Sequence, residues 1–376
     1  MTVTSGTTIS LLTPPGRGAV AVVAVEGTEA IGFVERFFRP AGAKPLRERH
    51  LGEIIYGRWG ATAQEGVIVV CRNERQVEVH CHGGNMAVRR IVDDLTALGA
   101  AEEFWRDWTA RNEPNVIRRA ARVALAGALT ERAAMILLDQ YHGELEAALL
   151  QIAKSITNSE TAVATDSLEQ LLNRAPLGMH LIQAWRVVIA GPPNVGKSSL
   201  ANALLGYERA IVFDQPGTTR DVVTAATALD GWPVELSDTA GLSAGLDALD
   251  LAGIERATTQ ADAANCLLLV FDASVPWTDE QEALVERWPV AIVVHNKCDL
   301  TTAPHERAGQ YTSAKTGQGI ETLGQVIASR LVPSPPKPGQ PVPFTREQAE
   351  ALQVAAIDLQ AGHFDAAKSK LLAMLA

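Results

Sequence analysis

No other stretch constrains this chain as strongly as Gly191-Pro192-Pro193-Asn194-Val195-Gly196-Lys197-Ser198, which reads G-x-x-x-x-G-K-S. Residues 185–190 before it have the pattern of a buried strand, and residues 199–205 after it read as a helix. In that setting the motif is a phosphate-binding loop: glycines let the backbone wrap a phosphate, while amides and the helix N-terminus face its charge. Lys197 is placed for the β- and γ-oxygens and the Ser198 hydroxyl for Mg²⁺. An α/β domain is the expected fold.

Four further segments follow in a telling order. Gly217-Thr218-Thr219-Arg220-Asp221 supplies a switch-loop threonine, Thr219, that completes a Mg²⁺ shell and senses a γ-phosphate. Asp238-Thr239-Ala240-Gly241 ends an apolar stretch over 232–236. Asp238 is expected to hold the metal's water shell, and the Gly241 amide the γ-phosphate. Asn296-Lys297-Cys298-Asp299 follows a strand-like run over 290–294 and fits guanine. Asp299 accepts from the ring N–H and exocyclic amine, Asn296 bonds the ring edge, and Lys297 packs its stem on the base. Adenine would leave Asp299 without donors, a large mismatch in a buried site. Ser313-Ala314-Lys315 then offers a backbone amide to the guanine oxygen. The expected GTP site thus comprises Asn194, Val195, Gly196, Lys197, Ser198, Ser199, Gly217, Thr218, Thr219, Asp238, Thr239, Ala240, Gly241, Asn296, Lys297, Asp299, Ser313, Ala314 and Lys315.

Length and composition narrow the setting. A chain of 376 residues with 47% hydrophobic and 20% charged content can bury two or three domain cores. No apolar run approaches a membrane span, and the N-terminus lacks a basic region followed by an apolar core, so neither a membrane nor a secretion route is expected. The net charge of −10 argues against a bulk electrostatic grip on nucleic acid. Cys71, Cys81, Cys266 and Cys298 have no C-x-x-C spacing, which suits reduced thiols in the cytoplasm.

Along the chain, residues 1–115 read as a small α+β domain, with strands over 19–25, 54–56, 67–70 and 77–79 and an amphipathic helix over 86–98. His80-Cys81-His82 resembles a metal cluster, but consecutive strand residues point to opposite faces. A strand-to-helix turn with a glycine pair is the expected reading. Residues 116–182 form a first helical segment, with 173–179 read as a linker because of Pro176 and Gly178. Residues 183–332 form the GTP domain, 333–343 a proline-rich extended connector, and 344–376 a second helical segment with Thr345 as N-cap and Gln348 three residues on.

Thr13-Pro14-Pro15-Gly16-Arg17-Gly18, His82-Gly83-Gly84, the loop at 191–198, Pro216-Gly217-Thr218-Thr219-Arg220-Asp221 and Gly253-Ile254-Glu255-Arg256-Ala257 together resemble the tRNA-modification GTPase family MnmE, also called TrmE. The resemblance implies a homodimer formed through the N-terminal domain. It also implies a FAD-binding partner, a wobble uridine of tRNA, a folate one-carbon unit (5-formyltetrahydrofolate) and GTP hydrolysis to GDP when K⁺ pairs the G domains. It places K⁺ at Asn194, Phe213, Gln215 and Thr218, and Mg²⁺ at Ser198, Thr219 and Asp238. Catalytic roles fall on Asn194, Gly241 and Asp250, the last where the family has glutamate. Glu78 matches the folate glutamate, whereas Ala24 and Glu113 stand at the family's arginine and lysine. Members end in Cys-x-Gly-Lys; here the last residues are Leu371-Leu372-Ala373-Met374-Leu375-Ala376. The expected function is a K⁺-stimulated modification GTPase. The alternatives are a regulatory switch that has lost modification and a GTP-binding scaffold without turnover.

Overall fold

The computed structural model describes residues 6–14, 18–42, 44–60, 65–207, 224–238, 264–301 and 307–375. The chain divides into two compact units, 1–114 and 115–376.

The first unit is built on a seven-stranded sheet of order β3-β4-β5-β6-β2-β1-β7. Its strands are β1 (Thr8–Leu11), β2 (Val20–Glu26), β3 (Phe38–Pro40), β4 (Ile54–Trp59), β5 (Glu65–Asn73), β6 (Gln76–His82) and β7 (Ala101–Glu102). Its helices are α1 (Ala30–Phe37), α2 (Asn85–Ala97) and α3 (Trp105–Asn112). Strand alternation sends Val23, Val25, Val77, Val79 and Cys81 into one core with Val34, Ile91 and Leu95 from α1 and α2. On the opposite face of β6, His80 bonds Glu78 at 3.2 Å and His82 bonds Glu65 at 2.6 Å, so the three side chains of His80-Cys81-His82 do not converge.

The second unit carries α4 (Val116–Leu125), α5 (Glu131–His142), α6 (Glu144–Thr157) and α7 (Thr161–Met179), then β8 (Trp185–Ala190) and α8 (Lys197–Tyr207). There follow β9 (Thr224–Leu229), β10 (Trp232–Asp238), β11 (Cys266–Asp272), α9 (Asp279–Arg287), β12 (Ile292–Asn296), β13 (Gln310–Tyr311) and α10 (Ile320–Leu331). The helices α11 (Arg346–Gln360) and α12 (Phe364–Ala373) close the unit. Its six-stranded sheet has the order β13-β12-β11-β8-β10-β9, parallel except for β9 against β10. The apolar run of β8 is buried on both faces, as parallel strands require: Val187 and Ile189 join α8 and α10, while Val188 joins Leu269 and Phe271 under α9.

The linker expected at 173–179 is instead the end of α7, a 19-residue helix with Pro176 inside it. Proline removes one helical hydrogen bond, but Leu168, Leu171, Ala175 and Leu177 are buried and packing holds the turn. Gly178 is there for contact rather than for flexibility. A Cβ on it would overlap the Pro343 carbonyl, so the connector crosses the helix backbone to backbone. That connector is a strap: Gln140 receives Val342 N at 3.0 Å and donates to Gln340 O at 3.1 Å, and Asp139 accepts from Gly339 N at 2.8 Å. Thr345 and Gln348 form the expected capping box at the start of α11. Across the unit, Arg132 of α5 pairs with Asp230 at 3.0 Å in the β9–β10 turn and lies over Trp232.

All four cysteines are buried and free. Burial pushes the Cys81 and Cys266 thiols up to about 11. At pH 8 these two thiols should therefore alkylate with iodoacetamide about 100-fold more slowly than an exposed cysteine, and at ordinary rates in urea. Mass spectrometry of tryptic peptides before and after unfolding checks this.

Candidate functional site

The site forms where parallel strands end, the usual binding edge of an open α/β sheet. Beyond β8 the backbone turns at Gly191 (φ 142°), where a Cβ would overlap the Val270 carbonyl, and only glycine fits. The loop then runs to Lys197, the first residue of α8, which is 8% exposed. Its Nζ lies inside the loop and donates to the carbonyls of Gly191 at 3.0 Å and Pro192 at 2.7 Å. Ser198 and Ser199 stand exposed in the first helical turn. Asp238 ends β10 as the register partner of Ile189 on β8, which places it beside the loop.

The base-recognition segment is wired into this loop through Asn296. That side chain is 1% exposed. It donates to Val195 O at 2.9 Å and accepts from Thr312 Oγ1 at 3.3 Å and Ala314 N at 3.1 Å. Asn296 thus brackets the phosphate loop to the Ser313-Ala314-Lys315 turn, a role beside the guanine contact expected of it. Ser313, fully buried, accepts from Thr316 N at 3.1 Å and tightens that turn. Lys297 Nζ donates to Asn194 O at 2.6 Å and to Asp272 Oδ2 at 2.7 Å. Burial alone would raise the Asp272 carboxyl, but the bonds from Lys297 and Ser274 outweigh it and hold it below the usual carboxylate range. Asp299 is exposed, with no hydrogen bond or ion pair among the described residues.

The structure therefore gathers Asn194, Val195, Gly196, Lys197, Asn296, Lys297, Ser313 and Ala314 at one sheet edge. Phe213, Gln215, Gly217, Thr218, Thr219, Thr239, Ala240, Gly241 and Asp250 lie outside the described residues. Thr312 and Asp272 were not expected. Asp272 had a readable signal: it is the polar residue that ends the apolar run Cys-Leu-Leu-Leu-Val-Phe at 266–271. In the first unit, Glu78 faces Ala24 across the β2–β6 ladder and is bound by Arg72 at 2.7 Å and His80 at 3.2 Å. Buried Ala24 offers no cation there, and among the described residues Glu78 is paired with Arg72 and His80. This donor set does not fit an anionic folate.

A G-K-S loop between a central parallel strand and a helix, bracketed to an N-K-x-D segment at the neighbouring strand ends, defines a P-loop GTPase. The family described as "50S ribosome-binding GTPase" matches residues 186–297, and "GTP-binding protein TrmE N-terminus" matches residues 7–136. The tRNA modification GTPase MnmE of Chloroflexus aurantiacus is 34% identical over 87% of this chain and 82% of its own length. That of Geobacillus kaustophilus is 32% identical over 86% and 81%, and that of Synechococcus sp. WH7803 32% over 84% and 79%. The chain belongs to the MnmE/TrmE family.

Proposed function

We propose that this chain hydrolyses GTP to GDP and phosphate as the switch of a cytoplasmic tRNA-modification system, stimulated by K⁺. The observation that carries the reading is the Asn296 bracket, which ties phosphate loop and base-recognition loops into one site. Family membership supplies the tRNA connection, since the named relatives are tRNA modification GTPases. Mg²⁺, which neutralises phosphate charge, suits Ser198 and Asp238, at adjoining ends of α8 and β10, with Thr219 as the third contact. K⁺ suits the exposed Asn194, with Phe213, Gln215 and Thr218. In this reading Lys197 holds the terminal phosphates, Gly241 offers an amide to the γ-phosphate, and Asp250 orients the attacking water. A homodimer, a FAD-binding partner and tRNA complete the assembly.

A second reading is favoured by one observation. The face around Ala24 and Glu78 does not suit folate, as a regulatory switch without modification chemistry would allow. One experiment separates the two. The gene is expressed in a bacterial strain lacking its own modification GTPase, and modified wobble uridine is quantified by mass spectrometry. The first reading expects modification to return; its absence, from a folded chain that binds GTP, selects the second.

A further inference from the structure

One carboxylate in the nucleotide site has no part in the roles above. Asp272 closes β11 beside its register partner Asn296, and its two oxygens have separate duties. Oδ1 accepts from Ser274 N at 2.9 Å and Ser274 Oγ at 2.6 Å, which fixes the plane of the carboxylate. Oδ2 accepts from Lys297 Nζ at 2.7 Å, and the same ammonium reaches Asn194 O at 2.6 Å. The side chain of Asp272 is 13% exposed and that of Lys297 31%, so this ion pair is partly shielded from water.

The backbone at both ends of that bridge is unusual. Lys297 and Asn194 each have φ of 63°, two of the four non-glycine residues in the left-handed region among those described. Such conformations persist only where surrounding contacts hold them, and the contact joining these two is the Lys297 ammonium. An unanchored lysine would also retain rotamer freedom and lose it on ligand binding; one fixed at its tip does not.

We propose that Asp272, oriented by Ser274, is a positioning residue for guanine-nucleotide binding. It holds the Lys297 ammonium against the Asn194 carbonyl, so that the lysine stem is laid out for the base while the phosphate loop keeps its shape. Base recognition and phosphate binding are thereby coupled through this ion pair as well as through the Asn296 bracket. The inference rests on the GTP-site reading and goes one residue beyond it.

The test is a double-mutant cycle on the full chain, read by the affinity of fluorescent GDP. D272N keeps size and the Ser274 contacts but removes the charge, and should weaken GDP about 10-fold, the loss of one charge-assisted bond. On a K297A background the same change should do nothing further, because its partner is gone. With GTP, D272N should raise KM more than it lowers kcat, a split that general destabilisation would not produce. S274A, a milder change, should weaken GDP about 2-fold through a loosened carboxylate. GDP affinity in D272N equal to wild type, or an equal loss on the K297A background, would overturn the role of Asp272 alone. Failure of the wild-type chain to bind GDP would overturn the GTP-site reading and this role with it.

Discussion

Asn296→Ala should reduce GDP affinity by about 100-fold, a larger loss than expected of any single exposed contact to the base. The side chain is 1% exposed and holds three partners: Val195 O, Thr312 Oγ1 and Ala314 N. Truncation leaves all three in a site with little water to replace them, at about 1 kcal/mol each, or about 3 kcal/mol in sum. That sum corresponds to roughly 100-fold in a dissociation constant. It acts on geometry first, because the phosphate loop and the Ser313–Lys315 turn lose their shared tie. Calorimetric titration with GDP measures it. An affinity within a few-fold of wild type would mean that the loops keep their places without the bracket.

Gly178→Ala should destabilise the second unit, against the usual sign of the change. In a helix, alanine is ordinarily favoured over glycine by about 1 kcal/mol. Here the new Cβ would overlap the Pro343 carbonyl, with Phe344 Cα close behind, and backbone atoms cannot swing aside as a side-chain tip does. Overpacking of this kind costs about 3 kcal/mol, so the net loss is about 2 kcal/mol. The strap and the buried Val342 and Phe344 beside it must move together, which adds Gln140 to the affected groups. A melting temperature lower by roughly 5 °C is expected. A rise would show that the strap yields easily and that Gly178 is a helix residue like any other.

The sequence makes the nucleotide site legible because phosphate and guanine each need particular atoms at fixed spacing, and strand ends deliver them. Trp185–Ala190 is the strand expected before the loop, and helix α8 begins at Lys197, two residues earlier than read. What escaped was structure decided by contact at a distance. Pro176 and Gly178 carry the local signature of a linker, yet buried leucines on either side keep α7 helical. Thr224–Leu229 is rich in alanine and has little strand character alone; pairing with β10 through the Asp230-Gly231 turn makes it one. Cys266–Asp272 carries no phosphate or guanine motif, and the apolar run ending in Asp272 is the signal that marks it as a buried parallel strand. The motif assigns Asn296 to the ligand and does not announce that its buried amide also joins two loops of the protein. A motif names the residue; only packing tells which way it faces.

The central claim is tested most directly by phosphate release from the purified full chain. GTP and ATP are compared at equal concentration with Mg²⁺, once in KCl and once in NaCl. Turnover of GTP and not of ATP, faster in KCl, is the result this account predicts. Equal release from the two nucleotides, or bound GTP that is never hydrolysed in either salt, would contradict it.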